Sequence, residues 1–152
     1  MTARELMSSP VHACQPDTDL ATVTHLMWTH DCGFVPVVDA SGHVVGVITD
    51  RDVCIAAGTR RQLTEHMATW QAMSKTVRAC LPDDSTDDVL AAMKQFRVRR
   101  LPVIDAAGHL QGVVSLNDLV RAVGRKAGPT ATAIVATMAD ICAPRLVTTA
   151  VA

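Results

Sequence analysis

Two stretches of the chain place a hydroxyl three residues ahead of a carboxylate at what reads as a helix start: Thr49-Asp50-Arg51-Asp52 and Ser115-Leu116-Asn117-Asp118. Two kinds of chemistry use that spacing. One is a capping box, in which hydroxyl and carboxylate satisfy each other's backbone N–H groups. The other is ligand binding: a helix N-terminus offers N–H donors and a positive dipole end to a phosphate, and the carboxylate is a charge-assisted acceptor for two sugar hydroxyls. One residue can serve both roles. Phosphate also calls for cations; Arg51 lies inside the first stretch, and Arg97, Arg99 and Arg100 cluster just before Pro102. No nucleophile–base–orienter set accompanies Cys32 or Cys54, so the chain reads as a non-enzyme. His43 and His109 each follow a turn glycine and read as hairpin-edge residues, and the acidic group Asp83, Asp84, Asp87 and Asp88 as the bias of a helix N-terminus.

The elements that must position these groups occur twice. MSSPVHACQPD from Met7 aligns with MSKTVRACLPD from Met73, and FVPVVDASGHVVGVITDRD from Phe34 with RLPVIDAAGHLQGVVSLND from Arg100. A single offset of 66 residues serves both blocks, and about 20 of the 52 pairs from Met7 to Gly58 are identical. Two copies are too few for a solenoid, so a closed pseudo-twofold pair is expected. Within a copy, Asp17-Thr18-Asp19 precedes the helical stripe Leu20, Val23, Met27, matched by Asp83-Asp84-Ser85 before Val89, Met93 and Phe96. Two β-rich runs joined by Asp39-Ala40-Ser41-Gly42, or Asp105-Ala106-Ala107-Gly108, predict hairpins. A helix from about Asp50 to Ala57, or Asn117 to Val123, follows and stops at Gly58 or Gly124. A short strand near Val11 to Cys14, or Val77 to Cys80, precedes the first helix, which makes each unit β-α-β-β-α. The expected division is repeat one over 1–58, a linker helix over 59–72, repeat two over 73–124, and a tail over 125–152 with a short helix carrying Ile134, Val135, Met138 and Ile141. The fold class is α+β, with the repeats packed sheet to sheet.

Composition narrows the function. The 152 residues carry 14 basic and 15 acidic side chains and only 3% aromatics, which offers neither the electrostatic footprint nor the stacking platforms of a nucleic-acid binder. No run of about 18 apolar residues exists for a membrane span, and the N-terminal residues lack a signal-peptide pattern. Five widely spaced cysteines without a C-x-x-C pair fit reduced thiols and argue against a zinc site. A cytoplasmic protein is the expectation.

The tandem unit, with PVVDxxGHVVGVITDRD and PVIDxxGHLQGVVSLND in register, resembles the CBS-domain pair, or Bateman module, over about Met7 to Gly124. That resemblance implies a regulatory module sensing an adenosine-containing ligand: AMP, ADP or ATP first, NAD or S-adenosylmethionine as alternatives. It implies that Thr49 and Asp52, and Ser115 and Asp118, meet phosphate and ribose. It also implies that Arg99, three residues before the strand proline, faces phosphate beside Arg51 and Arg100. Adenine would lie near Val11, Val35 and Pro36 in one site and near Val77, Leu101 and Pro102 in the other. Gly33 occupies the position of Arg99 in the first copy, and Leu116-Asn117 that of Asp50-Arg51 in the second, so each repeat lacks one part and either one or two ligands per module fits. A homodimer that signals to a separate downstream protein is expected. The competing readings are a ligand-free dimerisation module or protein-interaction adaptor, and a redox regulator using Cys32 or Cys54.

Overall fold

The computed structural model describes residues 1–144; residues 145–152, the end of the tail, lie outside the described residues. The first repeat contains α2 (Leu20–Thr29), β1 (Phe34–Val38), β2 (Val44–Thr49) and α3 (Asp50–Thr59), after a one-turn helix α1 (Ala3–Leu6). The second contains α4 (Thr86–Phe96), β3 (Arg100–Ile104), β4 (Leu110–Ser115) and α5 (Leu116–Arg121), and α6 (Ala131–Cys142) follows. Caps fix the starts of the long helices. The Asp19 carboxylate accepts from Thr22 N at 2.8 Å to begin α2, and Ser85 and Asp88 form a reciprocal capping box on α4. Behind the caps Leu20, Val23 and Met27, and Val89 and Met93, are buried as their spacing demands.

Both hairpins are antiparallel and superpose in register: Phe34 pairs with Thr49 and Pro36 with Val47, as Arg100 does with Ser115 and Pro102 with Val113. Their turns are built alike. The Asp39 carboxylate accepts from the N–H groups of Ser41 and His43, Asp105 does the same for Ala107 and His109, and Gly42 and Gly108 take φ of 85° and 91°. These bonds hold both aspartates below the ordinary carboxylate pKa, the backbone N–H of the following histidine being the largest cause. The turns meet about the pseudo-twofold axis, where the His43 and His109 rings stack at 4.2 Å.

The expected first strand of each repeat shrinks to one bridging residue, Cys14 parallel to Val37 and Cys80 parallel to Val103. A few residues earlier the chain lies on the other repeat: Ser8 bridges Val113 of β4, and Ser74 bridges Val47 of β2. Each repeat therefore begins on its neighbour's sheet and crosses to its own. Gly46 and Gly112 permit that approach, because a Cβ there would stand 2.9 Å from the carbonyl oxygen of Ser74 or Ser8.

The linker departs from expectation. Residues 59–72 form no helix of their own; α3 runs through Gly58 to Thr59, and two 3-10 turns follow at Thr64–His66 and Thr69–Gln71. Tertiary bonds replace helical ones: Leu20 N donates to Met67 O, Thr69 N to Thr18 O, and Trp70 N to Pro16 O, with Met67 fully buried. In the second repeat α5 ends at Arg121, and Gly124, at φ 80°, turns the chain.

Each repeat keeps its own apolar core, one around Leu20, Val23, Val35, Val37 and Ile48, the other around Val89, Met93, Leu101, Val103 and Val114. Helix α6 extends only the second core, through Ile134, and is pinned by Lys94 on the Asp140 carboxylate at 2.9 Å. Arg97, left-handed at the end of α4, donates to the carbonyls of Asp140 and Ala143 at 3.2 and 3.1 Å. Among the described residues no helix is long and apolar enough to cross a membrane.

Candidate functional site

The crossing segments and the faces of the hairpins turned away from the two cores enclose two clefts. Strand alternation decides which side chains reach them: Val35, Val37, Leu101 and Val103 point into the cores, whereas Phe34, Pro36, Arg100 and Pro102 point the other way. Phe34 and Arg100, which begin β1 and β3, line both clefts and so mark the centre of the pair.

Each cleft takes its helix start from one repeat and its facing wall from the other. The first, of about 740 Å³, joins Ser115, Asn117, Asp118 and Arg121 of repeat two to Val11, His12, His30, Cys32 and Pro36 of repeat one. The second, of about 520 Å³, joins Thr49, Asp50, Arg51 and Asp52 of repeat one to Arg78, Phe96, Arg99 and Pro102 of repeat two. Crossing changes the inventory read from the sequence. Arg99 and Arg51 belong to different repeats, yet both line the second cleft, whereas the first has Asn117 in the place of Arg51 and no residue in the place of Arg99, since Gly33 borders the second cleft instead. The deficits coincide in one cleft instead of being shared.

The helix starts have the same internal geometry. Thr49 N and Oγ1 donate to Asp52 Oδ2 at 2.9 and 2.7 Å, and Asp52 N returns a bond to Thr49 Oγ1 at 3.2 Å. Ser115 N and Oγ donate to Asp118 Oδ2 at 2.8 and 2.5 Å, with the return bond at 3.3 Å. The capping-box chemistry is therefore present in both, and it uses only one oxygen of each carboxylate. The second oxygens differ. Asp118 Oδ1 accepts from Arg121 Nη2, whereas Asp52 Oδ1 accepts no hydrogen bond among the described residues.

Cation placement differs as well. Five arginines (Arg51, Arg78, Arg97, Arg99 and Arg100) line the second cleft with two aspartates, Asp50 and Asp52. Arg97 is held by α6, and Arg78 lies over the Phe96 ring at 4.5 Å. Arg51, Arg99 and Arg100 enter no ion pair among the described residues. In the first cleft the equivalents of Arg78 and Phe96 are His12 and His30, stacked at 3.4 Å, and Arg100 and Arg121 are matched by Asp31 and Asp118. The second cleft can receive an anion; the first is balanced.

Of the residues singled out in the sequence, Thr49, Arg51, Asp52, Arg99, Arg100 and Pro102 come together in the second cleft, and Ser115, Asp118, Val11, Pro36 and again Arg100 in the first. Val35 and Leu101 do not line either; both are fully buried on the core side of their strands. Val77 is half-buried and also absent from the lining, its neighbours Thr76 and Arg78 taking that place. Arg78 and Arg121 carry no site signal in their own repeat, and Phe96, expected on the core stripe of α4, is instead half-buried and lines the second cleft. Their signal was the repeat itself, since the 66-residue offset sets Arg78 against His12, Phe96 against His30 and Arg121 against Ile55. Burial pushes the thiols of Cys14 and Cys80 up, the latter to about 12, as suits matched packing positions.

The CBS domain family matches the chain twice, over residues 3–58 and 69–125. A 17.7 kDa protein of Acidianus ambivalens is 31% identical over 118 residues, which are 78% of this chain and 70% of that one. The fold is shared with CBSX2 in complex with AMP, at TM-score 0.70 and 24% identity, covering 80% of this chain and 94% of that chain. It is shared also with the CBS domain pair of protein MJ0100 in complex with 5'-methylthioadenosine and S-adenosyl-L-methionine, at TM-score 0.73 and 21% identity, covering 80% and 94%. With both repeats matched in sequence and the tandem hairpin-and-helix unit repeated in space, the chain belongs to the CBS domain family, as a pair of such domains.

Proposed function

We propose that this chain is a regulatory module that binds an adenine nucleotide (AMP, ADP or ATP) between its repeats and reports occupancy through the geometry of a homodimer, in the cytoplasm, to a separate protein. The observation that carries the reading is the second cleft, where the unengaged Oδ1 of Asp52 stands at a helix N-terminus among Arg51, Arg99 and Arg100. A ribose diol would donate to Asp52, the phosphates would meet the arginines and the α3 N–H groups, and the base would lie toward Pro102. Ser115 and Asp118, with Val11 and Pro36, offer the pseudo-equivalent position in the other cleft. AMP on CBSX2 and S-adenosyl-L-methionine on MJ0100 are adenosine ligands of the same fold, which supports that ligand class. Exposed apolar side chains on the helices after the hairpins, Ile55 and Val120, supply a surface for dimerisation.

Thermal unfolding with millimolar AMP, ADP, ATP, NAD and S-adenosylmethionine tests the reading, since a ligand of the native state raises the midpoint by mass action. Asp52→Asn keeps an acceptor for Thr49 and removes the charge that receives the diol. Losing about 1.5–3 kcal/mol of charge-assisted bonding weakens affinity roughly 10- to 150-fold. A flat panel would favour the ligand-free adaptor instead.

A further inference from the structure

Resting on the nucleotide reading above, we infer that this module is a one-site receptor in which Arg121 closes the second ribose position: nucleotide enters the Thr49–Asp52 cleft, and in the Ser115–Asp118 cleft the carboxylate that would receive the ribose is taken by an internal ion pair. The two carboxylates have the same capping bonds and differ in what stands three residues further along the helix. After Asp118 that position is Arg121, one turn on, whose guanidinium takes the oxygen left over from the capping box. After Asp52 it is Ile55, which can pair with nothing, and the oxygen stays open. Asp118 is 8% exposed and Arg121 72% exposed, so the buried charge already has its counter-ion and a ribose diol would have to displace it.

The rest of each cleft reinforces the difference. A phosphate beside Asp52 meets Arg51 and Arg99, which have no acidic partner among the described residues. A phosphate beside Asp118 would meet Arg100, Asn117 and the wall that carries Asp31, with no counterpart of Arg51 or Arg99. Specificity between two equally folded positions thus comes down to the Arg121/Ile55 pair and to the arginines that crossing gathers on one side.

Exchanging the pair tests this. Isothermal titration of the full chain with AMP and with ATP should give one nucleotide per chain. Arg121→Ile should add a second, weaker site and raise the stoichiometry to two. Ile55→Arg should cut affinity at least tenfold by engaging Asp52. Ile55→Ser removes the same apolar surface without a charge and should keep the wild-type affinity, which separates an effect on Asp52 from an effect on dimerisation. Circular dichroism and sedimentation of each variant check fold and mass. Two sites in the wild-type chain, a stoichiometry of one in Arg121→Ile, or equal losses in Ile55→Arg and Ile55→Ser would each overturn the assignment of Arg121. Absence of any nucleotide binding in all four proteins would overturn the nucleotide reading itself, and the one-site inference with it.

Discussion

A methyl group at Gly112 is the sharpest probe of the crossing that builds both clefts. In a strand, glycine normally weakens the structure, and Gly→Ala where the backbone allows it stabilises by about 0.4–1 kcal/mol through the unfolded chain. Here the expectation reverses. The new Cβ would stand 2.5 Å from Met7 Sδ and 2.9 Å from Ser8 O, against ordinary contact from 3.4 Å upward. Met7 can swing away, but Ser8 cannot, because its N–H donates to Val113 O at 2.9 Å and its carbonyl accepts from Val113 N at 3.2 Å. Opening the clash by about half an ångström stretches the longer bond past useful length, at about 1 kcal/mol. Overpacking adds about 1–3 kcal/mol. After subtracting the unfolded-state gain, Gly112→Ala should destabilise by about 1–3 kcal/mol, or roughly 3–10 °C in Tm for a chain of this size. Gly46→Ala should cost as much, through Met73 and Ser74. It should also weaken nucleotide binding, since Ser74 lines the cleft of Asp52, whereas Gly112→Ala should alter stability alone. Differential scanning calorimetry and a nucleotide titration read both effects. An unchanged or raised Tm in either variant would refute the close approach and with it the exchange of segments between repeats.

Other outcomes follow from the charges and thiols. Arg99→Ala should reduce AMP affinity by about tenfold, the loss of one charge-assisted set, and should leave adenosine affinity unaltered in the same titration; equal losses would remove Arg99 from the phosphate position. In native protein, iodoacetamide should label the exposed Cys54 and Cys142 and spare Cys14 and Cys80, where burial disfavours the thiolate; mass spectrometry showing rapid labelling of Cys80 would contradict that burial. Asp39 and Asp105 titrate below the ordinary carboxylate value because the turn N–H groups favour the charged form. Their contribution is complete above about pH 4 and is lost as pH falls through the lower folded-state value. Tm should therefore drop on acidification below about pH 4, and the double variant Asp39→Ala, Asp105→Ala should flatten that slope; a carboxyl NMR titration placing either group above about 4 would reverse the sign.

Local features were legible because local chemistry sets them. The hydroxyl–x–x–carboxylate spacing specified the capping boxes at Thr49 and Ser115, and Asp39 and Asp105 with their turn glycines specified the hairpins, since these bonds join residues close in sequence. The linker has the spacing of a helix and folds as two 3-10 turns for the converse reason. Met67 and Trp70 have helical spacing, but Met67, Thr69 and Trp70 bond to residues 16–20, some fifty positions away, and those partners are invisible to periodicity. The same limit applied to Val35 and Leu101: apolar character could not say which side of a strand meets the core.

By itself the sequence determined the tandem unit, the two helix starts with their carboxylates, and the unequal stock of arginines between repeats. Only the tertiary structure decided which repeat faces which. Because Ser8 and Ser74 each lie on the neighbouring sheet before the chain crosses to its own, the α3 start confronts the arginines of repeat two, and the α5 start confronts the histidines of repeat one. Charge inventory is a property of the chain, but charge complementarity belongs to surfaces brought together from opposite repeats. That juxtaposition turns two half-equipped motifs into one cationic cleft and one neutral cleft.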